Sequence, residues 1–88
     1  MGTALEMHGE IAIDTVDEFE HKIRSWLADG GSPVLDMTDV TFIDSTGLNM
    51  LVQMSVTNGE PLTLQGLRPP LVKLLQLTAL DQLLNIAF

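Results

Sequence analysis

The sequence contains no cysteine among its 88 residues. Disulfide frameworks, thiolate zinc sites and cysteine nucleophiles are therefore excluded. Positive charge is scarce as well, because four Lys and Arg residues against twelve Asp and Glu residues give a net charge of −8. The four cations do not cluster: Lys22, Arg24, Arg68 and Lys73. This charge balance argues against nucleic acid and anionic membrane surfaces as partners.

Long hydrophobic runs are also absent, although 45% of the residues are hydrophobic. A membrane-spanning helix needs about 20 apolar residues, so we expect a soluble globular protein without membrane insertion. No basic and apolar leader is recognisable, which makes the cytoplasm the expected location. A chain of 88 residues can close only one small core, so residues 1–88 are expected to form a single domain. It could also be one domain of a longer protein.

The amino-terminal third combines a strand pattern with a helix pattern. Apolar and polar residues alternate from Leu5 to Ile13, which predicts a half-buried strand. Thr15 and Glu18 have the spacing of a capping box, in which the hydroxyl accepts from the Glu18 amide and the carboxylate reaches back. We expect a helix to begin there and to end at Gly30-Gly31.

The middle of the chain predicts a strand, a turn and a second helix. A short apolar run over residues 34–37 indicates a buried strand whose carboxyl end carries Asp36. Thr38-Asp39 indicates a turn. Three apolar residues then bring the chain back to the core: Val40, Phe42 and Ile43. Either Asp44 or Ser45 is expected to be the N-cap of the following helix.

The remaining residues continue the alternation of strand and helix. A short strand is predicted over residues 62–66, a third helix from Pro69-Pro70, a further helical turn over 79–84 and a last strand over 85–88. The complete pattern predicts an α/β fold with a small mixed, mainly parallel β-sheet of about four strands, backed by about four helices through right-handed crossovers.

Catalytic patterns are weak in this sequence. The two histidines, His8 and His21, have no partner at a diagnostic spacing, and Glu18 three residues before His21 more often marks a solvated helix face than a metal site. Ser45 beside Asp44 lacks the glycine-flanked elbow and the base of a hydrolase. We therefore expect no enzyme activity, no metal and no cofactor. A small enzyme using Ser45 and a histidine remains the weakest alternative.

Ser45 opens a helix, and two interpretations of this position stay open. In the first, Ser45 only caps the helix. In the second, Ser45 is a phosphorylation site, because free amides at a helix N-terminus can hold a phosphoryl group. Acidic residues rather than cations lie nearby in the sequence: Asp36, Asp39 and Asp44. A phosphate would therefore meet like charge, and its expected effect is to repel a docked partner.

Two segments resemble the STAS domain of bacterial anti-sigma-factor antagonists. The stronger one runs from Leu35-Asp36-Met37 through Phe42-Ile43-Asp44-Ser45-Thr46-Gly47-Leu48, and the weaker one is Gly9-Glu10-Ile11. The resemblance covers nearly the whole chain and aligns the family's phosphorylatable serine with Ser45. Ala12 stands where the family usually has an acid. The amino terminus is shorter than is common in the family, so a second copy could complete the sheet edge as a homodimer.

The resemblance implies a regulatory domain without catalysis. Its unmodified form would bind an anti-sigma factor that is also a serine kinase, and would thereby release a sigma factor. A metal-dependent serine/threonine phosphatase would reset Ser45. The expected docking residues are Asp36, Asp39, Asp44, Ser45, Thr46, Leu48 and Asn49.

Three further questions stay open from the sequence. Thr46 could be modified in place of Ser45. Met50 and Met54 could either contact a partner or pack under a neighbouring loop. The alternative function is a constitutive STAS scaffold or accessory subunit, in a signalling assembly or a lipid-transport ATPase.

Overall fold

The computed structural model describes residues 4–77 and 83–87. Its four strands are β1 (Leu5–Ile11), β2 (Val34–Ile43), β3 (Thr63–Gln65) and β4 (Asn85–Ala87). Its three helices, within this part of the chain, are α1 (Val16–Ala28), α2 (Ser45–Asn58) and α3 (Pro69–Leu77). The predicted α/β class is confirmed. The predicted helical turn over 79–84 lies mostly outside the described residues.

The sheet has the strand order β1-β2-β3-β4, and every described pair is parallel rather than mixed. Right-handed crossovers that always step in the same direction place all three helices on one face of the sheet. Burial agrees with this arrangement, since one set of strand side chains is buried: Met7, Ile11, Leu35, Met37, Val40, Ile43 and Leu64. Side chains between them are exposed on the other face, including Glu6, His8, Glu10, Asp39 and Phe42. The fold therefore has two layers and one open sheet face.

Strand β2 corrects the predicted turn at Thr38-Asp39. The strand is continuous over ten residues. Its register with β1 shifts twice, because β2 advances by three residues from Asp36 to Asp39 while β1 advances by two. The second shift lies between the pairs Gly9↔Val40 and Glu10↔Phe42. Such bulges add a residue without ending a strand. The polar pair Thr38-Asp39 therefore looks like a turn in the sequence although it lies within a continuous strand.

Helix α2 supplies much of the core on the helical side of the sheet. Its buried residues include Leu51, Met50 and Met54. Both methionines belong to the same hydrophobic cluster as the strand residues. Of the two open interpretations, the partner contact is therefore wrong: the methionines are packed, and they lie in the main core rather than under a neighbouring loop.

The start of α1 lacks the predicted capping box. Thr15 occupies the N-cap position but makes no side-chain cap. Its hydroxyl donates to the Glu10 carbonyl at 2.7 Å and accepts from the Ala12 amide at 3.0 Å. The Thr15 hydroxyl therefore bonds to backbone groups that precede the helix rather than to the first amides of α1.

Strand β1 forms an edge of the sheet, and side chains from α1 and its N-cap reach its carbonyls. The Lys22 ammonium donates to the Glu6 carbonyl at 2.9 Å. The Thr15 hydroxyl likewise donates to the Glu10 carbonyl. Two acceptors on the strand where a second copy was expected to pair are thus used within the chain, and the homodimer stays a prediction.

Candidate functional site

The site lies at the edge of the sheet where β1 and β2 both end. Ile11 and Ile43 are register partners at the ends of these strands. Asp44 directly follows β2, and its amide donates to the Ile11 carbonyl at 3.2 Å. Helix α2 begins at the next residue, Ser45. A single linking residue therefore fixes the start of α2 against the end of both strands.

Asp44 is the N-cap of α2, which decides between the two candidates. Its backbone is extended, and its Oδ1 accepts from the Gly47 amide at 2.9 Å. The other oxygen, Oδ2, accepts from the Ile13 amide at 3.1 Å. Asp44 thus caps the helix and also ties the β1–α1 loop to it.

Ser45 is exposed at the first position of α2. Because Asp44 provides the cap, the Ser45 hydroxyl is not used for this purpose. The amides of Ser45 and Thr46 have no acceptor within the helix, as expected for its first residues. Thr46 is half-buried, and Asn49 is exposed one turn further along the same face as Ser45. Between Ser45 and Thr46, Ser45 is therefore the more accessible to solvent.

Gly47 explains why a glycine follows this serine and threonine. A Cβ atom at this position would lie 2.6 Å from the Ile11 carbonyl oxygen and 2.9 Å from Cγ2 of Ile43. Only a residue without a side chain allows α2 to approach both strand ends so closely. The glycine therefore serves the packing of the helix start, which in turn holds Ser45 at the surface.

Leu48 is a core residue rather than a docking residue. It is only 6% exposed and belongs to the main hydrophobic cluster. Its expected contact with a partner is therefore wrong for this conformation, because its side chain faces the sheet. Among the predicted docking residues, the structure brings Asp44, Ser45, Thr46 and Asn49 together on the first turns of α2 and its cap.

Asp36 and Asp39 lie elsewhere, on β2 rather than at the helix start. Asp36 precedes Asp44 by eight residues of mostly extended chain, a separation of roughly 20–25 Å at the usual strand rise. Asp39 lies beside His8 of β1, with 3.3 Å between Oδ2 and Nδ1. Neither aspartate shares the immediate surroundings of Ser45, so both can contact only a partner that also covers the open sheet face.

The carboxylate of Asp36 has a local structural role. Its Oδ1 accepts from the Thr38 hydroxyl at 2.6 Å and from the Thr38 amide at 3.0 Å. These two bonds, with a smaller contribution from His8, hold the pKa of Asp36 below its usual value. Asp36 therefore stays ionised at neutral pH and stabilises the first bulge of β2.

Two apolar side chains near the site are exposed, which the sequence analysis did not predict. Ile13 was predicted on the core side of the first strand, but β1 ends at Ile11 and Ile13 is 77% exposed. Phe42 was predicted to return to the core, but the second register shift of β2 leaves it 48% exposed. Asp14 directly follows Ile13, and this acidic residue, typical of turns, is the signal in the sequence that the strand ends early.

Two of the four cations have partners of their own away from the start of α2. Lys22 binds the Glu6 carbonyl, five residues before the end of β1. Arg24 pairs with Glu20 at 3.0 Å and lines a groove with Asn58 at the opposite end of α2.

In residues 4–77 and 83–87 no group of three or more potential metal ligands occurs, and no helix there is long and apolar enough to span a membrane.

The parallel sheet and the Asp-Ser-Thr-Gly start of α2 together define an α/β domain of the STAS type. The family model described as "Mlab, STAS domain" matches residues 2–85, so the chain belongs to the STAS domain family. The fold is also similar to the structure of the anti-sigma factor antagonist SpoIIAA in its unphosphorylated form. The TM-score is 0.58 at 17% sequence identity, and the match covers 88% of this chain and 84% of that one. At this identity the similarity establishes the fold alone.

Proposed function

We propose that this protein is an anti-sigma factor antagonist controlled by phosphorylation of Ser45. The unmodified form binds an anti-sigma factor that is also a serine kinase, and a sigma factor is released. A metal-dependent serine/threonine phosphatase restores the unmodified form. The observation that carries the proposal is that Ser45 is exposed at the start of α2 while Asp44 alone provides the cap.

Phosphorylation at this position is compatible with the fold. The first two amides of α2 have no acceptor within the helix, and the helix dipole favours a negative group there. The cap bond from the Gly47 amide to the Asp44 carboxylate does not involve the Ser45 hydroxyl, so a phosphoryl group on that hydroxyl does not require this bond to break. The switch therefore acts on binding rather than on folding.

The charge of the phosphoryl group explains why binding stops. Phosphoserine adds about −1.5 to −2 charge units at neutral pH. This charge lies directly after Asp44, while Lys22 and Arg24 are held at other places by their own partners. A partner that covers Ser45 would have to desolvate this added charge beside Asp44, which is costly.

The first test of this proposal locates the modification. Protein purified from its own cells is analysed by intact mass and peptide mapping, with Ser45→Ala and Thr46→Ala for comparison. We expect one added phosphoryl group of about 80 Da on the peptide with Ser45, absent only in Ser45→Ala. A phosphate that persists in Ser45→Ala contradicts the assignment to Ser45.

The second test measures the effect of charge on binding. Ser45→Asp should weaken the complex with the anti-sigma factor by about tenfold or more, as measured by calorimetry. Ser25→Asp is the matched control, because Ser25 is also an exposed helical serine and lies on α1. Equal affinity of the wild type and Ser45→Asp would contradict phosphorylation control.

A second candidate function is a constitutive STAS scaffold or accessory subunit, in a signalling assembly or a lipid-transport ATPase. It is favoured by an apolar groove at the other end of α2, lined by Val56, Pro61 and Leu83 among others. Val56 is 69% exposed and lies eleven residues after Ser45, about 16 Å along the helix. A partner in this groove would bind Ser45→Asp normally and would lose affinity for Val56→Ser.

A further inference from the structure

Ile13 is a large apolar side chain that the fold holds in solvent. It is 77% exposed and lies two residues beyond the end of β1. Single exposed apolar residues are common on protein surfaces and need no function. Ile13 differs from such residues because its backbone is fixed and because it lies beside the Ser45 helix start.

Hydrogen bonds on both sides fix the backbone of Ile13. Its own amide donates to Oδ2 of Asp44 at 3.1 Å. The preceding residue, Ala12, donates to the Thr15 hydroxyl at 3.0 Å and accepts from the amides of Thr15 and Val16 at 2.9 and 2.7 Å. The loop is therefore ordered before any partner arrives, which lowers the entropic cost of using Ile13 in a contact.

Asp44 links this loop to Ser45 through a single carboxylate. One oxygen caps α2 at Gly47, and the other holds Ile13. The exposed acids Glu10 and Asp14 flank the loop. The resulting surface has an apolar centre with an acidic rim, and a complementary partner has an apolar pocket with a basic rim.

We propose that Ile13 is the apolar anchor of the docking surface and that Asp44 is a positioning residue that holds it beside Ser45. The inference rests on the proposed function and adds the chemistry of the partner: the anti-sigma factor receives Ile13 in an apolar pocket with a basic rim. Phosphorylation of Ser45 places its charge at the border of this pocket, which explains how one phosphoryl group can block a larger contact.

Affinity measurements with the purified anti-sigma factor test the anchor. Ile13→Ser should weaken the complex by about tenfold or more, because it removes a side chain that is buried only on binding. Leu77→Ser is the matched control, since Leu77 is similarly exposed at the end of α3, and it should bind like the wild type. Thermal unfolding of both variants should match the wild type, because exposed positions contribute little stability.

The outcomes separate this inference from the function on which it rests. If Ser45→Asp abolishes binding while Ile13→Ser binds like the wild type, the antagonist function stands and the anchor is overturned. If the unmodified chain binds no anti-sigma factor at all, both are overturned. A loss in Leu77→Ser equal to that in Ile13→Ser also overturns the anchor, because the contact would then not be specific to this loop.

Site-specific labels give a direct readout of the anchor, since the natural sequence has no cysteine that would react. A polarity-sensitive dye on Ile13→Cys should shift to shorter wavelength when the anti-sigma factor binds, whereas the same dye on Leu77→Cys should not. An unchanged spectrum at position 13 in the saturated complex overturns the anchor.

The positioning role of Asp44 has its own variant. Asp44→Ser keeps a good N-cap residue for α2, but its short side chain cannot also reach the Ile13 amide. A nitroxide label on Ile13→Cys should become more mobile when Asp44→Ser is added, and the affinity should fall although α2 remains capped. A label that is equally immobile in both backgrounds overturns the positioning role.

Discussion

Two helices begin at the same edge of the sheet, α1 after β1 and α2 after β2, but their starts are built differently. At α1 the N-cap hydroxyl of Thr15 turns back to the Glu10 carbonyl and leaves the helix uncapped. Its first turn contains two acids, Asp17 and Glu18. At α2 the carboxylate of Asp44 caps the helix, and the first turn contains no acid.

This difference explains why only one of the two starts is suited to a switch. At α1 the Thr15 hydroxyl is already bonded to the backbone before the helix, so this helix start presents no free hydroxyl at its N-cap. At α2 the residue before the helix makes the cap, so the next hydroxyl is left free at the surface. The position of a serine relative to its cap therefore decides whether the serine is available for modification.

Gly47→Ala should have the largest effect on the α2 start. The new Cβ would meet the Ile11 carbonyl and Ile43 Cγ2 below 3 Å, so we expect a loss of about 1–3 kcal/mol in the free energy of unfolding. Glu18→Ala is the control, because Glu18 is the exposed residue at the equivalent third position of α1. Urea denaturation compares the two variants, and equal stability would contradict the close approach at Gly47.

Asp44→Ala should have the next largest effect, because it removes the cap of α2 and the link to Ile13 together. Loss of an N-cap typically costs about 0.5–2 kcal/mol. Asp44→Ser should recover most of this stability, since serine can still accept from the Gly47 amide. If Asp44→Ser is as unstable as Asp44→Ala in chemical denaturation, the link to the loop rather than the cap dominates.

Thr15→Val should have a smaller effect at the α1 start. The hydroxyl bonds to Glu10 and Ala12 are lost in a half-exposed loop, with an expected cost of about 0.5–1.5 kcal/mol. Hydrogen exchange at the Ala12 amide should also become faster. Thr15→Ser is the control that keeps the hydroxyl, and equal exchange in both variants would show that these bonds do not order the loop.

The contrast between the two helix starts also shows what the sequence can and cannot predict. The order of strands and helices follows from hydrophobic spacing and from glycines and prolines, which act locally. The missing capping box could not be predicted from the sequence. The Thr15 hydroxyl can bond either to the helix amides or to the strand carbonyl, and only the fold brings that carbonyl near. The exposure of Phe42 results from a β-bulge, and a bulge leaves no periodic pattern of hydrophobic residues in the sequence.

The candidate site was predictable in its centre but not in its surroundings. Ser45 and Asp44 belong to a segment whose pattern marks a helix start. The contact between Asp44 and Ile13 joins residues 31 apart, and it exists only once β1 and β2 are paired. Leu48 is among the docking residues expected from the family resemblance, whereas its burial depends on how closely α2 approaches the sheet.

Ser45→Ala should have the smallest effect on stability, and this makes it the sharpest probe of the comparison. Substitution of an N-cap serine typically costs about 0.5–2 kcal/mol, whereas substitution of an exposed residue outside such a role stays within about 0.5 kcal/mol. Because Asp44 is the cap, we expect the second value in urea denaturation. A loss as large as that of Asp44→Ala would mean that Ser45 shares the capping, and its phosphorylation would then disturb the helix as well as the docking surface. An unchanged stability together with lost phosphorylation would separate the two roles, with the cap assigned to Asp44 and the switch to Ser45.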